Sequence, residues 1–224
     1  MIRLHITAEG QTEQTFAKNV LAPYLAEFNV FVDTRCVLTS RDKRSAKEYR
    51  GGLLSYEKAK KDIETWIKED NHGECRFSSM FDLYALPDDF PGYAEAQQIS
   101  DRYQRVRVLE ASMAQDIKDR RFISYIQLHE FEALILSDPQ KLDWEYMEHD
   151  VAINKLISLV NGKNPELIND GQATAPSKRI LKEIPEYDKA TAGVAVATKI
   201  GLQSLREKCR HFNEWITILE HLAE

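Results

Sequence analysis

Four short apolar runs, at residues 2–8, 30–39, 76–86 and 121–128, alternate with segments whose apolar residues recur at helical spacing. That alternation constrains this chain more than any other feature. The first run, Ile2-Arg3-Leu4-His5-Ile6-Thr7-Ala8, has the two-residue period of a strand. Phe16, Val20, Leu21, Tyr24 and Leu25 then follow a helical period, with Thr12 placed to cap that helix. The second run, Val30 to Thr39, is rich in β-branched residues, and Tyr56, Ala59, Ile63, Trp66 and Ile67 mark a helix over 54–69. Between them the basic, polar stretch from Ser40 to Gly52 reads as a loop. Residues 93–119 are helical in part, with Val106-Arg107-Val108-Leu109 as a short interposed element. Strands alternating with helices predict an α/β domain over residues 1–138, with a mostly parallel sheet flanked by helices. Beyond 139 the strand signal fades. Helical stretches at 149–161, 176–184, 193–208 and 211–222 predict a C-terminal helical extension, 139–224, packed on the sheet.

Charge and cysteine usage narrow the function classes. The net charge of -6 excludes a protein that coats nucleic acid by bulk charge, and leaves room for a local basic groove. No apolar run reaches the roughly 18 residues of a membrane span. The first residues lack the basic-then-apolar layout of a secretory signal. Cys36, Cys75 and Cys209 are far apart and form no C-x-x-C pair. Reduced thiols in a cytoplasmic chain are expected from them, and no structural zinc site.

The acids fall where a parallel sheet gathers ligands, beyond the carboxyl ends of its strands. Glu9 follows the first run, and Asp82 lies near the end of the third, with Asp88 and Asp89 in the turn-rich loop after it. Glu130 and Glu132 follow the fourth. Three strands thus deliver carboxylates to one rim. Oxygen ligands of this kind suit magnesium or manganese, and grouped carboxylates repel one another without a cation. Local alternatives stay open. Glu9 and Glu13 also suit a helix start, and Asp88 and Asp89 beside Pro87 and Pro91 also suit a turn. Asp82, inside an apolar strand, needs a partner in either case. His129 and Glu132 share a face if 129–136 is helical, which gives His129 an indirect role.

The second half supplies cations. Ser177 stands near a helix start with Lys178 and Arg179 in its first turn, where bases oppose the helix dipole unless an anion binds nearby. Lys199, within the apolar stretch 194–202, either snorkels to solvent or meets an acid or phosphate. Arg41, Lys43, Arg44, Lys47 and Arg50 form either a solvated loop or a nucleic-acid contact. Cys209 and His211 alone cannot close a zinc site, and Phe212, Trp215, Ile216 and Leu219 at helical spacing predict core.

Several of these motifs recur together in one family. They are Glu9-Gly10-Gln11-Thr12-Glu13, Asp82-x-Tyr84-x-x-Pro87-x-x-Phe90-Pro91-Gly92, His129-Glu130-Phe131-Glu132-Ala133-Leu134, Ala175-Pro176-Ser177-Lys178-Arg179 and Cys209-x-His211-Phe212-x-x-Trp215. In this order, over nearly the whole chain, they resemble the bacterial domain-of-unknown-function family 4276. That family in turn resembles the topoisomerase–primase (TOPRIM) fold, near the nuclease domains of OLD-type proteins. The resemblance implies a compact parallel sheet flanked by helices, with a glutamate after the first strand and an Asp-x-Asp pair after the third. Glu9 matches the glutamate and Asp82 the first aspartate, but Tyr84 stands where the second would be. Asp88 or Asp89 substitutes for it, or Glu130 and Glu132 complete the site.

The implied protein is a metal-dependent, nuclease-like TOPRIM enzyme that hydrolyses phosphodiester bonds. Glu9 and Asp82 would hold magnesium or manganese with help from Glu130, Glu132 or Asp88. Lys178, Arg179 or Lys199 would neutralise phosphate charge, and Ser177, Arg41 and Arg44 would contact phosphate or nucleic acid. By analogy alone, a partner ATPase of a phage-defence module is also implied. Tyr84 equally fits an inactive interaction subunit that keeps the fold, and the same site would serve a small-molecule phosphate-ester enzyme. For shared metal ligation, the Glu9 and Asp82 carboxylates need to lie within about 8 Å of each other.

Overall fold

β1 (Ile2–Ala8) is buried along almost its whole length, as a central strand covered on both faces must be. In the computed structural model, which describes residues 1–41, 48–84, 86–168, 171 and 173–224, it leads into a nearly continuous helix. That helix runs through α1 (Gln11–Phe16), a π-helical turn (Ala17–Leu21) and α2 (Ala22–Ala26). β2 (Val30–Cys36) returns parallel to β1, with Ile2 opposite Val30 and Ala8 opposite Cys36. An antiparallel pair, β3 (Leu38–Arg41) and β4 (Glu48–Arg50), follows where the sequence predicts the end of the second strand and then a loop. α3 (Tyr56–Glu69) then leads to β5 (Cys75–Asp82), which pairs in parallel with the other side of β1. After α4 (Tyr93–Ala96) and α5 (Arg102–Ile117) come β6 (Phe122–Ile123) and β7 (Ile126–Gln127), both parallel to β5. The sheet order is β2-β1-β5-β6, with β7 also on β5.

The rest is helical: α6 (Glu132–Ile135), a 3₁₀ segment (Pro139–Trp144), α7 (Asp150–Val160), a 3₁₀ turn (Pro165–Leu167) and α8 (Pro176–Glu183). A π-helical turn (Lys189–Gly193), α9 (Val194–Ile200), α10 (Leu202–Lys208) and α11 (Arg210–Glu220) complete it, with a last 3₁₀ turn at His221–Ala223. Among the described residues no helix is long and apolar enough to cross a membrane.

The two faces of the sheet bury different partners. Leu4, Ile6 and Met80 share a core with Phe16, Val196, Phe212, Trp215 and Leu219, the side taken by α1 and the C-terminal helices. Phe77 and Phe81 share the other core with Ile63, Trp66, Val106, Leu109 and Met113, the side of α3 and α5. Phe212, Trp215, Ile216 and Leu219 are core, as their spacing predicts.

Several elements depart from the sequence expectation. Val106 and Leu109 do not form a separate element. They lie inside α5 and point, with Met113, into the core. The predicted helix over 193–208 is split at Gly201, whose φ of 83° is a left-handed conformation that ends α9 and restarts the chain as α10. The predicted fourth strand is two short pieces. Ser79 Oγ accepts from Tyr125 N and donates to Tyr125 O, both at 2.9 Å, and Ser78 Oγ donates to Ile123 O at 2.7 Å. Hydroxyls of β5 thus replace ladder bonds, and Tyr125 is released to stack on Trp215 at 4.0 Å. α1 begins at Gln11 with Gly10 as its cap, so Thr12 is not the capping residue. Residues 129–136 are not one helix. α6 starts only at Glu132, and His129 sits at φ 62°, so His129 and Glu132 do not share a helical face.

Candidate metal centre

At the carboxyl end of β1 the chain turns tightly at Glu9 and Gly10. Glu9 N still reaches Met80 O (3.0 Å), which holds the turn against β5. Gly10 N donates to Glu13 Oε2 at 2.9 Å, so the carboxylate satisfies a free amide at the start of α1. A Cβ on residue 10 would stand 3.2 Å from that oxygen, and glycine is what lets Glu13 fold back so closely. The Glu9 carboxylate accepts from Asp82 N at 2.9 Å and from the Leu53 amide. The first of those amides belongs to Asp82, and the Glu9 and Asp82 carboxyls are near enough to repel one another. Asp82 ends β5 on the same face as Met80, the face of the C-terminal helices.

From that side comes Lys189, the first residue of the π-helical turn, whose start is fixed by Asp188 Oδ1 accepting from Thr191 N at 2.9 Å. Its Nζ lies 3.0 Å from Asp82 Oδ2, 3.3 Å from Glu13 Oε1 and 3.6 Å from Glu132 Oε2. Glu132 arrives as the first residue of α6, and Tyr187 Oη lies 3.5 Å from its Oε1. Space for that hydroxyl exists because residue 193 is glycine: a Cβ there would lie 2.8 Å from it. The site is therefore built from the ends of β1 and β5, the starts of α1 and α6, and the π-helical turn. Single π turns inside helical segments are frequent at functional sites.

One ammonium cannot satisfy three buried carboxylates. Glu13 Oε1, Asp82 Oδ1 and Glu132 Oε2 are buried and make no hydrogen bond among the described residues. Burial pushes the Glu9 carboxyl up to about 7, against the pull of the Asp82 amide. Burial also lifts Glu132 to about 7 despite Lys189. Asp82 is raised well above the carboxylate range by burial, with Glu13, Glu9 and Glu132 adding repulsion. Burial would lower the Lys189 ammonium, but Asp82, Glu132 and Glu13 outweigh it and hold the charge more firmly than in water. Oxygen-only donors from separate elements, three of them with a bare buried oxygen, have the chemistry of a magnesium or manganese donor set, and among the described residues no three of these carboxylates bring oxygens within 4.8 Å of one another. A divalent cation would let these carboxyls ionise together, so the residues present fit the group.

Of the residues singled out in the sequence, Glu9, Asp82 and Glu132 converge. Glu130 does not join their hydrogen bonds: Ser177 N donates to its Oε1 (2.6 Å) and Ser177 Oγ to its Oε2 (3.0 Å). The anion that the start of α8 calls for is thus an internal carboxylate, which occupies Ser177 as well. Asp89 caps α3 through the amides of Tyr56 and Glu57, at 2.9 and 3.3 Å, and the Tyr56 and Glu57 amides hold it below the usual carboxylate range although partial burial opposes them. Asp88 is exposed on the same loop. Tyr84 is half-buried, and its amide donates to His129 O at 2.6 Å. Lys178 is exposed, and Arg179 Nε donates to Thr174 O at 2.7 Å. Lys199 is exposed, as its solvent-reaching alternative expects, with its ammonium 4.2 Å over the exposed Trp144 ring. Arg44, and the side chain of Arg41, lie outside the described residues. Sequence reasoning missed Lys189. It follows Asp188 in a polar stretch where no period marks a face, so only its position against the sheet identifies it. Glu13 was visible only as a helix-start acid.

The family model described as Domain of unknown function (DUF4276) matches residues 8–220. No curated protein matches the chain. Among solved structures, the C-terminal region of the Burkholderia pseudomallei OLD protein is similar at 15% identity and a TM-score of 0.46, covering 97% of this chain and 98% of that one. The C-terminal region of the Xanthomonas campestris pv. campestris OLD protein, phased with platinum, is similar at 14% identity and a TM-score of 0.42, covering 100% and 98%.

Proposed function

The chain belongs to the domain-of-unknown-function family DUF4276, and on that premise we propose that it is a magnesium- or manganese-dependent enzyme that hydrolyses phosphodiester bonds in nucleic acid. One observation carries the reading: among the described residues Glu13, Asp82 and Glu132 each keep a buried carboxylate oxygen that makes no hydrogen bond, although the Lys189 ammonium lies 3.0 to 3.6 Å from all three carboxylates. A structural cluster would have its lone pairs satisfied. Glu9, Asp82, Glu132 and Glu13 would hold the metal, which when bound polarises a phosphoryl oxygen and acidifies water.

The chain's own residues do the rest. Lys189 keeps its charge at any working pH and donates to a nonbridging phosphate oxygen, stabilising charge that grows in the transition state. Tyr187 and Gly193 fix where Glu132 stands. The Asp82 amide and the Leu53 amide hold Glu9 in one orientation. Lys178, exposed at the start of α8, and the basic segment with Arg41 and Arg44 supply contacts to flanking phosphates. An ATPase partner, implied by analogy alone, is a second component to add to the reaction. Tyr84 at the position of a second aspartate supports the rival reading of an inactive interaction subunit.

The experiment follows cleavage of labelled single- and double-stranded DNA and RNA with magnesium or manganese, with and without EDTA. Glu9→Ala and Asp82→Ala are each expected to lower the rate by about 10²–10³-fold or more. Cleavage that survives EDTA, or full activity in Asp82→Ala, overturns the assignment. Silence on every substrate, with the partner ATPase added, leaves the interaction subunit as the better reading.

A further inference from the structure

The opposite edge of the same sheet carries a second cluster, of different chemistry. Arg3 of β1 is the register partner of Cys75 of β5, and His5 is the partner of Phe77, so these four side chains share one face. α3 packs on that face, with the Trp66 ring 4.6 Å from His5, and ends at Asp70. His5 Nε2 stands 2.9 Å from Asp70 Oδ2. Arg3 Nη2 lies 2.9 Å from Asp70 Oδ1 and 3.2 Å from Cys75 Sγ. One ligand atom each from His5, Asp70 and Cys75, a nitrogen, an oxygen and a sulfur, lie within 4.8 Å of one another.

This donor set is not that of the carboxylate cluster. An imidazole, a thiol and one carboxylate suit a borderline-soft ion bound tetrahedrally, with water in the fourth place. The scaffold is rigid: His5 and Cys75 are buried on adjacent central strands, and Asp70 is fixed at the end of a well-packed helix. The outer shell is also present. His5 Nδ1 is buried and makes no hydrogen bond among the described residues, yet the Asp33 carboxylate of β2 stands 3.8 Å away. A carboxylate behind the free nitrogen is what orients an imidazole that ligates through its other nitrogen. Arg3 is exposed, so its guanidinium can leave for solvent without disturbing the core.

We propose that His5, Asp70 and Cys75 form a zinc site, with Arg3 as the resident cation of the metal-free chain. Zinc takes the His5 nitrogen, an Asp70 oxygen and the Cys75 sulfur, and the thiol proton is released to solvent. Arg3 swings out as the ion enters. The ion ties the end of α3 to β1 and β5, the two strands whose far ends carry Glu9 and Asp82. Spacing in the sequence pointed away from zinc because the three ligands are brought together only by strand register and helix packing.

Cobalt(II) titrated into the full chain tests this, since a cobalt–thiolate bond gives a charge-transfer absorption in the near ultraviolet that carboxylate-bound cobalt does not. The expected result is a sulfur band that saturates at one ion per chain, is displaced by zinc, disappears in Cys75→Ser and persists in Cys36→Ser. Arg3→Ala, at an exposed position, keeps the band and binds at least as tightly. Asp33→Ala weakens binding by about 10- to 100-fold. A folded wild-type chain without the band, or a band that survives Cys75→Ser, overturns the proposal. Neither result bears on phosphodiester cleavage, which is read separately at the other edge.

Discussion

Glu166 is buried in one way, and Glu13 and Glu132 in the opposite way. Beneath α11, Glu166 accepts from His211 N, Phe212 N and Tyr103 Oη, at 2.9, 3.0 and 2.9 Å, and every donor is a fixed group of the fold. Burial raises its carboxyl, and the His211 and Phe212 amides pull it back. Glu110 there pairs with His211 Nε2 at 2.9 Å, which holds that imidazole above its ordinary value although burial pulls the other way. At the carboxyl end of the sheet, Glu13, Asp82 and Glu132 each keep a buried oxygen that makes no hydrogen bond among the described residues, and share one lysine. The first carboxylate staples a helix start to a loop. The second group is electrostatically incomplete, and folding alone would not maintain it. Incomplete satisfaction, rather than burial or acidity, is what separates a candidate reaction centre from a structural acid in the same chain.

The sharpest way to break this contrast is to neutralise one acid of each kind. Asp82→Asn is expected to cost about 10²–10³-fold in cleavage rate while leaving the metal-free thermal midpoint little changed, because burial already favours the uncharged form of this carboxyl. Glu166→Gln is expected to do the reverse. It should lower stability by about 1–3 kcal/mol, since an amide cannot accept from both backbone N–H groups, and leave the rate per folded molecule intact. Loss of activity in both, or of stability in both, would erase the distinction.

Lys189→Met comes next. Without metal it should lower stability at pH 8 by about 2 kcal/mol, less than for a fully buried pair. The Lys189 side chain keeps 36% of its surface exposed, which is the reason for the smaller value. Saturating manganese should restore most of that loss, whereas it should restore nothing to Glu166→Gln. Chemical denaturation with and without manganese measures both.

The pH dependence sharpens the same point with a smaller effect. Glu9 and Glu132, raised to about 7 from an ordinary 4.5, hold protons in the folded chain that the unfolded chain has already released. The contribution of this site to metal-free stability therefore falls as pH rises between those values. Manganese is expected to flatten that fall, which thermal scans at several pH values will read. The smallest effect is expected from Tyr187→Phe, which removes a hydroxyl 3.5 Å from Glu132 and should cost less than about 1 kcal/mol. Its signature is weaker manganese affinity rather than lost fold.

The elements were legible in the sequence where period alone defines them. β1, β2, α3 and the core stripe of α11 follow from which residues alternate and which recur by turns, because those patterns are set by neighbours along the chain. The delivery of Glu9, Asp82 and Glu132 to one edge follows as well, since each closes a strand of a parallel sheet or comes just after one. What the sequence could not decide is which long-range partner each side chain meets. The broken fourth strand depends on hydroxyls of Ser78 and Ser79 that belong to a different strand. Glu130 looked like a ligand and became the cap of α8, because packing brings Ser177 to it. Lys199 and Lys189 are both lysines of the C-terminal helical region, and only tertiary packing sends one to an indole and the other to three carboxylates. The His5, Asp70 and Cys75 cluster lies between residues far apart in the chain and depends on β1–β5 register. Local periodicity is encoded residue by residue, whereas convergence of distant side chains is a property of how the elements pack, and that is where the chemistry of this protein is decided.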